Sequence, residues 1–195
     1  MLAWINLAVL IMASLLFLYY YVLSVSPAAL EKLIGPDAYA RCGRYRVIAV
    51  TFELITVGCY VVYWFYPLPV PLPERFPWPY YVSAILAVAI LLPALTLMTV
   101  GMLHAGEEAV RPKKEHELYG GIYKRIRHPQ AAGEVFLWWV IAFLLNSPFL
   151  AIFSFIYVPI FLLMCWAEEQ DLVLRYGDRY VAYWRRTGAF FPRKS

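Results

Sequence analysis

The residues best suited to chemistry lie in the second half of the chain, in two polar runs. The longer run, from Glu107 to Pro129, carries both charge signs and holds His116, Gly120, Gly121, Tyr123, Lys124, Arg125, Arg127 and His128. A connection of that length between apolar segments is more often functional than idle. Gly120 and Gly121 permit tight turns and close approach of backbone to a ligand. Pro129 suits the first position of a helix, which puts His128 at its N-cap. Free N–H groups and the positive end of the helix dipole there could meet an anion such as a carboxylate. The plainer alternative is an interfacial turn in which His128 caps its own helix.

The shorter run begins at Glu168 and Glu169, just past Trp166. Carboxylates at a membrane surface need no partner if hydrated. A short helical hairpin between the two runs would nevertheless bring Glu168 beside His128. A histidine, a helix N-terminus and a carboxylate converging there could hold a zwitterion. Two further acids, Glu53 and Glu134, stand inside apolar segments, where ionisable groups are costly and functional by default. No partner for Glu53 can be named from the sequence, and Glu134 is close enough to Gln130 to be interfacial. His104, His116 and His128 are too widely spaced for a metal motif. Cys42, Cys59 and Cys165 form no C-x-x-C pair and support neither a disulfide framework nor zinc.

The elements that position these residues are membrane helices. The chain is 63% hydrophobic and only 15% charged, a balance unlike that of a water-soluble domain. Five apolar segments stand out: Leu2 to Leu23, Val47 to Tyr66, Tyr80 to Leu103, Ala131 to Leu145, and Phe149 to Trp166. The first lacks a preceding Lys or Arg and is longer than a signal-peptide core, so it is read as a retained helix. Asn146, Ser147 and Pro148 make the last two segments an antiparallel hairpin. Sixteen of the 17 basic residues then fall on one side and only Arg75 on the other. Basic residues gather in cytoplasmic loops, which predicts a multi-pass protein with its N-terminus outside and its C-terminus in the cytoplasm. The expected fold is an all-α integral membrane protein of about five transmembrane helices with a C-terminal helical hairpin and a cytoplasmic site. It forms one membrane domain, with N-terminal helices and outer loop in 1–79 and the core in 80–195.

The net charge of +4 lies beside apolar segments and suits lipid head groups rather than nucleic acid. Pro67 to Pro79 reads as a stiff extended connection. Pro93 should kink the third helix. After Glu169 the aromatic spacing predicts a helix that stops at Gly177, then a second one. That tail is expected on the membrane surface or, less simply, over a site.

The run Gly121, Ile122, Tyr123, then Arg127, His128, Pro129 and Gly133, resembles a signature of the isoprenylcysteine carboxyl methyltransferases and their phospholipid-methyltransferase relatives. The second block is Glu168, Glu169, Leu172, Gly177, Tyr180, Tyr183 and Pro192, in the family's order. The match spans roughly Glu107 to Pro192, and Ala131 stands where the family has tyrosine. The resemblance implies S-adenosyl-L-methionine as cofactor, held by Glu115, His116, Glu117, Leu118, Tyr123, His128, Pro129, Gln130, Ala131 and Glu168. It implies methyl transfer to the carboxylate of a C-terminal prenylated cysteine entering from the bilayer. Arg125, Arg127 and Arg175 are the unranked candidates for holding that carboxylate. Rival readings are an N-methyltransferase acting on a phospholipid amine, a sterol-reductase-like enzyme using a nicotinamide cofactor, and a non-enzymatic scaffold.

Overall fold

The computed structural model describes residues 1–109, 112 and 120–193, and among these the chain is helical with no strand. The helices are α1 Leu2–Ser24, α2 Pro27–Ile34, α3 Ala38–Phe65, α4 Tyr80–Ala105, α5 Pro129–Leu144, α6 Pro148–Phe153, α7 Tyr157–Tyr176 and α8 Asp178–Arg186. Four stretches are long and apolar enough to cross a membrane: α1, Pro27–Phe65, α4 and Pro148–Tyr176. The short α5 has 16 residues, and at about 1.5 Å per residue it falls below the thickness of a hydrocarbon core. The fourth of the five expected segments is therefore the short one, as its apolar run indicates.

Two helix pairs form the frame. α1 packs along α3, and α4 packs along α5, while α7 touches α1, α2 and α5 and ties the pairs together. Glycine sets the second contact. A Cβ on Gly133 would run into the carbonyl oxygen of Ala94 and lie 2.9 Å from the Met98 nitrogen. One on Gly101 would lie 2.7 Å from Cγ of Gln130, so α4 and α5 approach closely at both points.

Leu10, Phe17, Tyr60, Tyr63, Trp138, Tyr157 and Phe161 fill the space between the pairs. The Trp138 ring stacks on Tyr157 at 3.9 Å between centroids. Hydroxyls within this core pair with one another, because lipid offers them no alternative. Ser14 and Tyr157 are 3.0 Å apart, and Tyr60 and Ser154 are 3.1 Å apart. Asn6 donates to the carbonyl of Cys59 at 2.9 Å.

Helix boundaries depart from the apolar runs at the end that carries the site. α3 begins at Ala38, where Ala38 and Cys42 are buried against neighbours. The last long helix tightens at Ser154–Ile156 and then continues to Tyr176, ten residues beyond Trp166. Glu168, Glu169, Asp171 and Arg175 thus project from a helix that stops at Gly177, as expected, since Glu, Gln, Leu and Arg sustain helix. Gly177 has φ 57, as a left-handed helix stop requires. Asn146, with φ 53, makes the hairpin turn, and 67–79 holds no helix, both as expected. Alternation of the helices places the end of α1, α2, the start of α3, the end of α4, the start of α5 and the end of α7 together.

Candidate functional site

Gly121 opens the loop that leads into α5. Its φ is 56, and a Cβ there would lie 2.5 Å from Cγ of His104, so the ring of His104 sits against bare backbone. Ile122 donates its N–H to Nδ1 of His104 at 3.1 Å. The single turn Gly121–Lys124 then places Tyr123 inside. Its hydroxyl donates to the Gly101 carbonyl at 3.3 Å and accepts from Gln130 at 2.8 Å. The Tyr183 hydroxyl donates to the Tyr123 carbonyl at 2.7 Å. Burial pushes the Tyr123 phenol above its ordinary range against the bond from Gln130, so it stays a neutral donor.

The C-terminal segment packs against the loop of the site. After α8 it pairs with the loop, Arg127 donating its N–H to Gly188 at 2.9 Å and His128 donating its N–H to Ala189 at 3.0 Å. The ring of Phe190 stands 5.9 Å from that of His128. That pairing satisfies two backbone N–H groups of the loop from another segment of the same chain.

His128 is the N-cap of α5, with Pro129 at the first position, but its side chain does not cap the helix. It reaches α7 instead. Nδ1 lies 3.4 Å from Glu168 Oε2, and Nε2 lies 2.9 Å from Glu169 Oε1. Arg127 donates from Nε to the same Glu169 oxygen at 2.7 Å, and Trp184 donates from Nε1 to the other oxygen at 2.9 Å. Arg127 also donates to the carbonyls of Trp184 and Thr187 and lies over the Trp184 ring. Burial by itself would lower the affinity of His128 for a proton. The Cys165 thiol and the two carboxylates outweigh it and hold the imidazole well above its usual range.

A pocket enclosing about 750 Å³ of empty space, open solvent included, lies against this cluster. Of the residues expected from the sequence, Tyr123, His128, Gln130, Ala131, Glu168, Arg127 and Arg175 line it. Pro129 packs against Gly101 rather than forming the wall. Glu115, His116, Glu117 and Leu118 lie outside the described residues. The three basic candidates separate: Arg125 is not among the lining residues, Arg127 is committed to Glu169, and Arg175 lines the pocket.

Sequence reasoning missed several members. Arg46 and Tyr21 reach the pocket from α3 and α1, and Asp171 reaches it from α7. Asp171 accepts the N–H groups of Ala28 and Ala29 at 3.2 and 2.9 Å, which fixes α2 beside the pocket. No local motif marks these residues, which meet only through tertiary packing. The partner of Glu53 is Glu134, whose carboxyl it meets by a side-chain hydrogen bond across α3 and α5.

The lining can be tested against the cofactor that the resemblance implies. Glu168 offers a carboxylate to an ammonium, Arg46 offers a guanidinium group to a carboxylate, and Tyr21, Val25, Phe161 and Met164 offer an apolar wall to a purine. This set of groups fits the cofactor.

Compared with family models, curated proteins and solved structures, the chain matches none.

Proposed function

We propose that this chain is an S-adenosylmethionine-dependent membrane methyltransferase acting on the carboxylate of a C-terminal prenylated cysteine. The observation that carries the proposal is the pocket in which the Glu168 carboxylate and the guanidinium groups of Arg46 and Arg175, from α7 and α3, converge where α5 begins and α7 ends. When bound there, S-adenosylmethionine supplies a methyl group on a positively charged sulfur. Tyr123, His128, Gln130 and Ala131 would hold it on one side and Glu168 on the other.

The acceptor carboxylate is ionised at neutral pH, so the chain needs no general base. One carboxylate oxygen forms the new bond to carbon as the carbon–sulfur bond breaks, leaving neutral S-adenosylhomocysteine and a methyl ester. The protein contributes positioning and the exclusion of water around a weak nucleophile. Arg175 is the group that steadies the acceptor, while Arg46 across the pocket is left to the cofactor's own carboxylate. The prenyl chain stays in lipid and reaches the site sideways.

In this reading the chain crosses the membrane five times, α5 being the short crossing, with the N-terminus outside and the pocket on the cytoplasmic side. Calorimetric titration of the purified protein with S-adenosylhomocysteine tests the cofactor assignment. Binding at micromolar concentration is expected, and no binding would leave the scaffold or nicotinamide readings.

A further inference from the structure

Both ring nitrogens of His128 face a carboxylate, Nε2 at 2.9 Å from Glu169 and Nδ1 at 3.4 Å from Glu168. A neutral imidazole has one N–H and one lone pair, so on one side it would turn the lone pair toward an anion. Only the imidazolium donates on both sides. Glu169 cannot swing away to relieve that conflict. Its Oε1 also takes the Arg127 Nε–H at 2.7 Å, and its Oε2 takes the Trp184 Nε1–H at 2.9 Å. Arg127 is itself tied to the Trp184 and Thr187 carbonyls, so the carboxylate is gripped by the loop, the C-terminal segment and α7 together. The side chains of His128 and Glu169 are 5% and 16% exposed, whereas Glu168 is 30% exposed and lines the pocket.

We propose that Glu169 is a positioning residue. It locks His128 as an imidazolium whose Nδ1–H points toward Glu168 and the pocket, so that His128 serves the site as a fixed cationic donor and not as a base. Glu168 is then the pocket-facing member of the carboxylate pair and Glu169 the structural one, although the two are neighbours in sequence. An acceptor reaching this pocket must arrive already ionised or lose its proton to a group other than His128. That last consequence rests on the methyltransferase reading; the charge state of His128 does not.

The groups that bear on this titration come from every side. α7 presents Cys165, Glu168, Glu169, Asp171 and Arg175, the loop presents Tyr123 and Arg127, and α1 and α3 present Tyr21 and Arg46 around the pocket. The carboxylates that touch the ring outnumber the cations that touch it, since Arg127 reaches Glu169 rather than the imidazole.

Nitrogen-15 NMR of the full-length, histidine-labelled protein in lipid nanodiscs reads the protonation of each ring. The His128 signal is assigned by its loss in His128→Gln. In the wild type it should remain doubly protonated at pH 7.5. Glu169→Gln keeps the shape but removes the charge, and should bring the titration midpoint of His128 down by about one pH unit or more. Trp184→Phe removes one donor to Glu169 but keeps the charge, and should leave the ring doubly protonated. A singly protonated His128 in the wild type at pH 7.5 overturns the proposal even if Glu169→Gln fails to fold. So does an unchanged midpoint in a folded Glu169→Gln protein. Absence of S-adenosylhomocysteine binding with His128 still doubly protonated would remove the methyltransferase reading and leave this one standing.

Discussion

Glu168 and Arg175 stand two turns apart on α7 and both line the pocket, which makes opposite roles for them testable side by side. Glu168→Ala and His128→Ala should each weaken S-adenosylhomocysteine binding at least tenfold, on the order of 1.4 kcal/mol, by calorimetry on folded protein. Arg175→Gln should leave that affinity within about threefold and lower kcat/KM for a prenylated cysteine by roughly tenfold or more, about 1.4 kcal/mol of transition-state stabilisation. Arg125→Gln, outside the lining, should change neither. His128 also makes stability depend on pH. Its folded affinity for a proton is raised above the unfolded value near 6.5, so its contribution is complete below about pH 6.5 and is lost as pH rises through the folded value. The thermal stability of the wild type relative to His128→Gln should therefore fall as pH is raised from 6.5 to 9, and a difference that grows with pH would contradict the ion pairing. His128 and Glu168 were legible in the sequence because a short hairpin has fixed ends. Arg46, Asp171 and the second role of Glu169 were not, because each depends on which helix faces which. His104 could have been found only by asking what bare backbone at Gly121 is for.

The α4–α5 contact is the element on which the loop depends, since α5 begins at His128 and is aligned by close passage over α4. A methyl group at Gly133 has no room beside the Ala94 carbonyl, whereas one at Gly58 meets nothing within 4 Å. Gly133→Ala should cost about 1–3 kcal/mol of stability, read as a clear fall in thermal midpoint, while Gly58→Ala should be neutral or slightly stabilising. Equal effects would mean that the contact does not set the position of α5. Hydropathy located each of the five apolar segments but not their ends. The apolar run ends at Trp166, ten residues before the helix does, and it was the aromatic spacing and Gly177 that carried the helix to its end. Hydropathy also left the C-terminal segment undecided, since the pairing of Arg127 and His128 with Gly188 and Ala189 joins residues sixty apart through backbone groups alone. Pairing of that kind has no side-chain signature.

At the scale of the molecule, the four long apolar helices agree with a multi-pass membrane protein. The proposed orientation rests on the division of basic residues, and the five crossings proposed would put the termini on opposite sides. Reporter fusions should therefore report an outside N-terminus and a cytoplasmic C-terminus, and both ends on one side would mean that α5 does not cross. The central claim is chemical, and it concerns what enters the pocket from the bilayer. A prenyl chain gains about 0.8 kcal/mol for each CH₂ kept in lipid, while its carboxylate stays at the interface beside Arg175. The direct measurement is transfer of labelled methyl from S-adenosylmethionine, by purified protein in nanodiscs, to N-acetyl-S-farnesyl-cysteine and to phosphatidylethanolamine offered together. The account predicts label released as methanol by alkali, from the farnesylated cysteine alone, and almost none with the same cysteine lacking its prenyl chain. Label held in alkali-stable N-methyl groups on phosphatidylethanolamine, with none on the prenylcysteine, would contradict it.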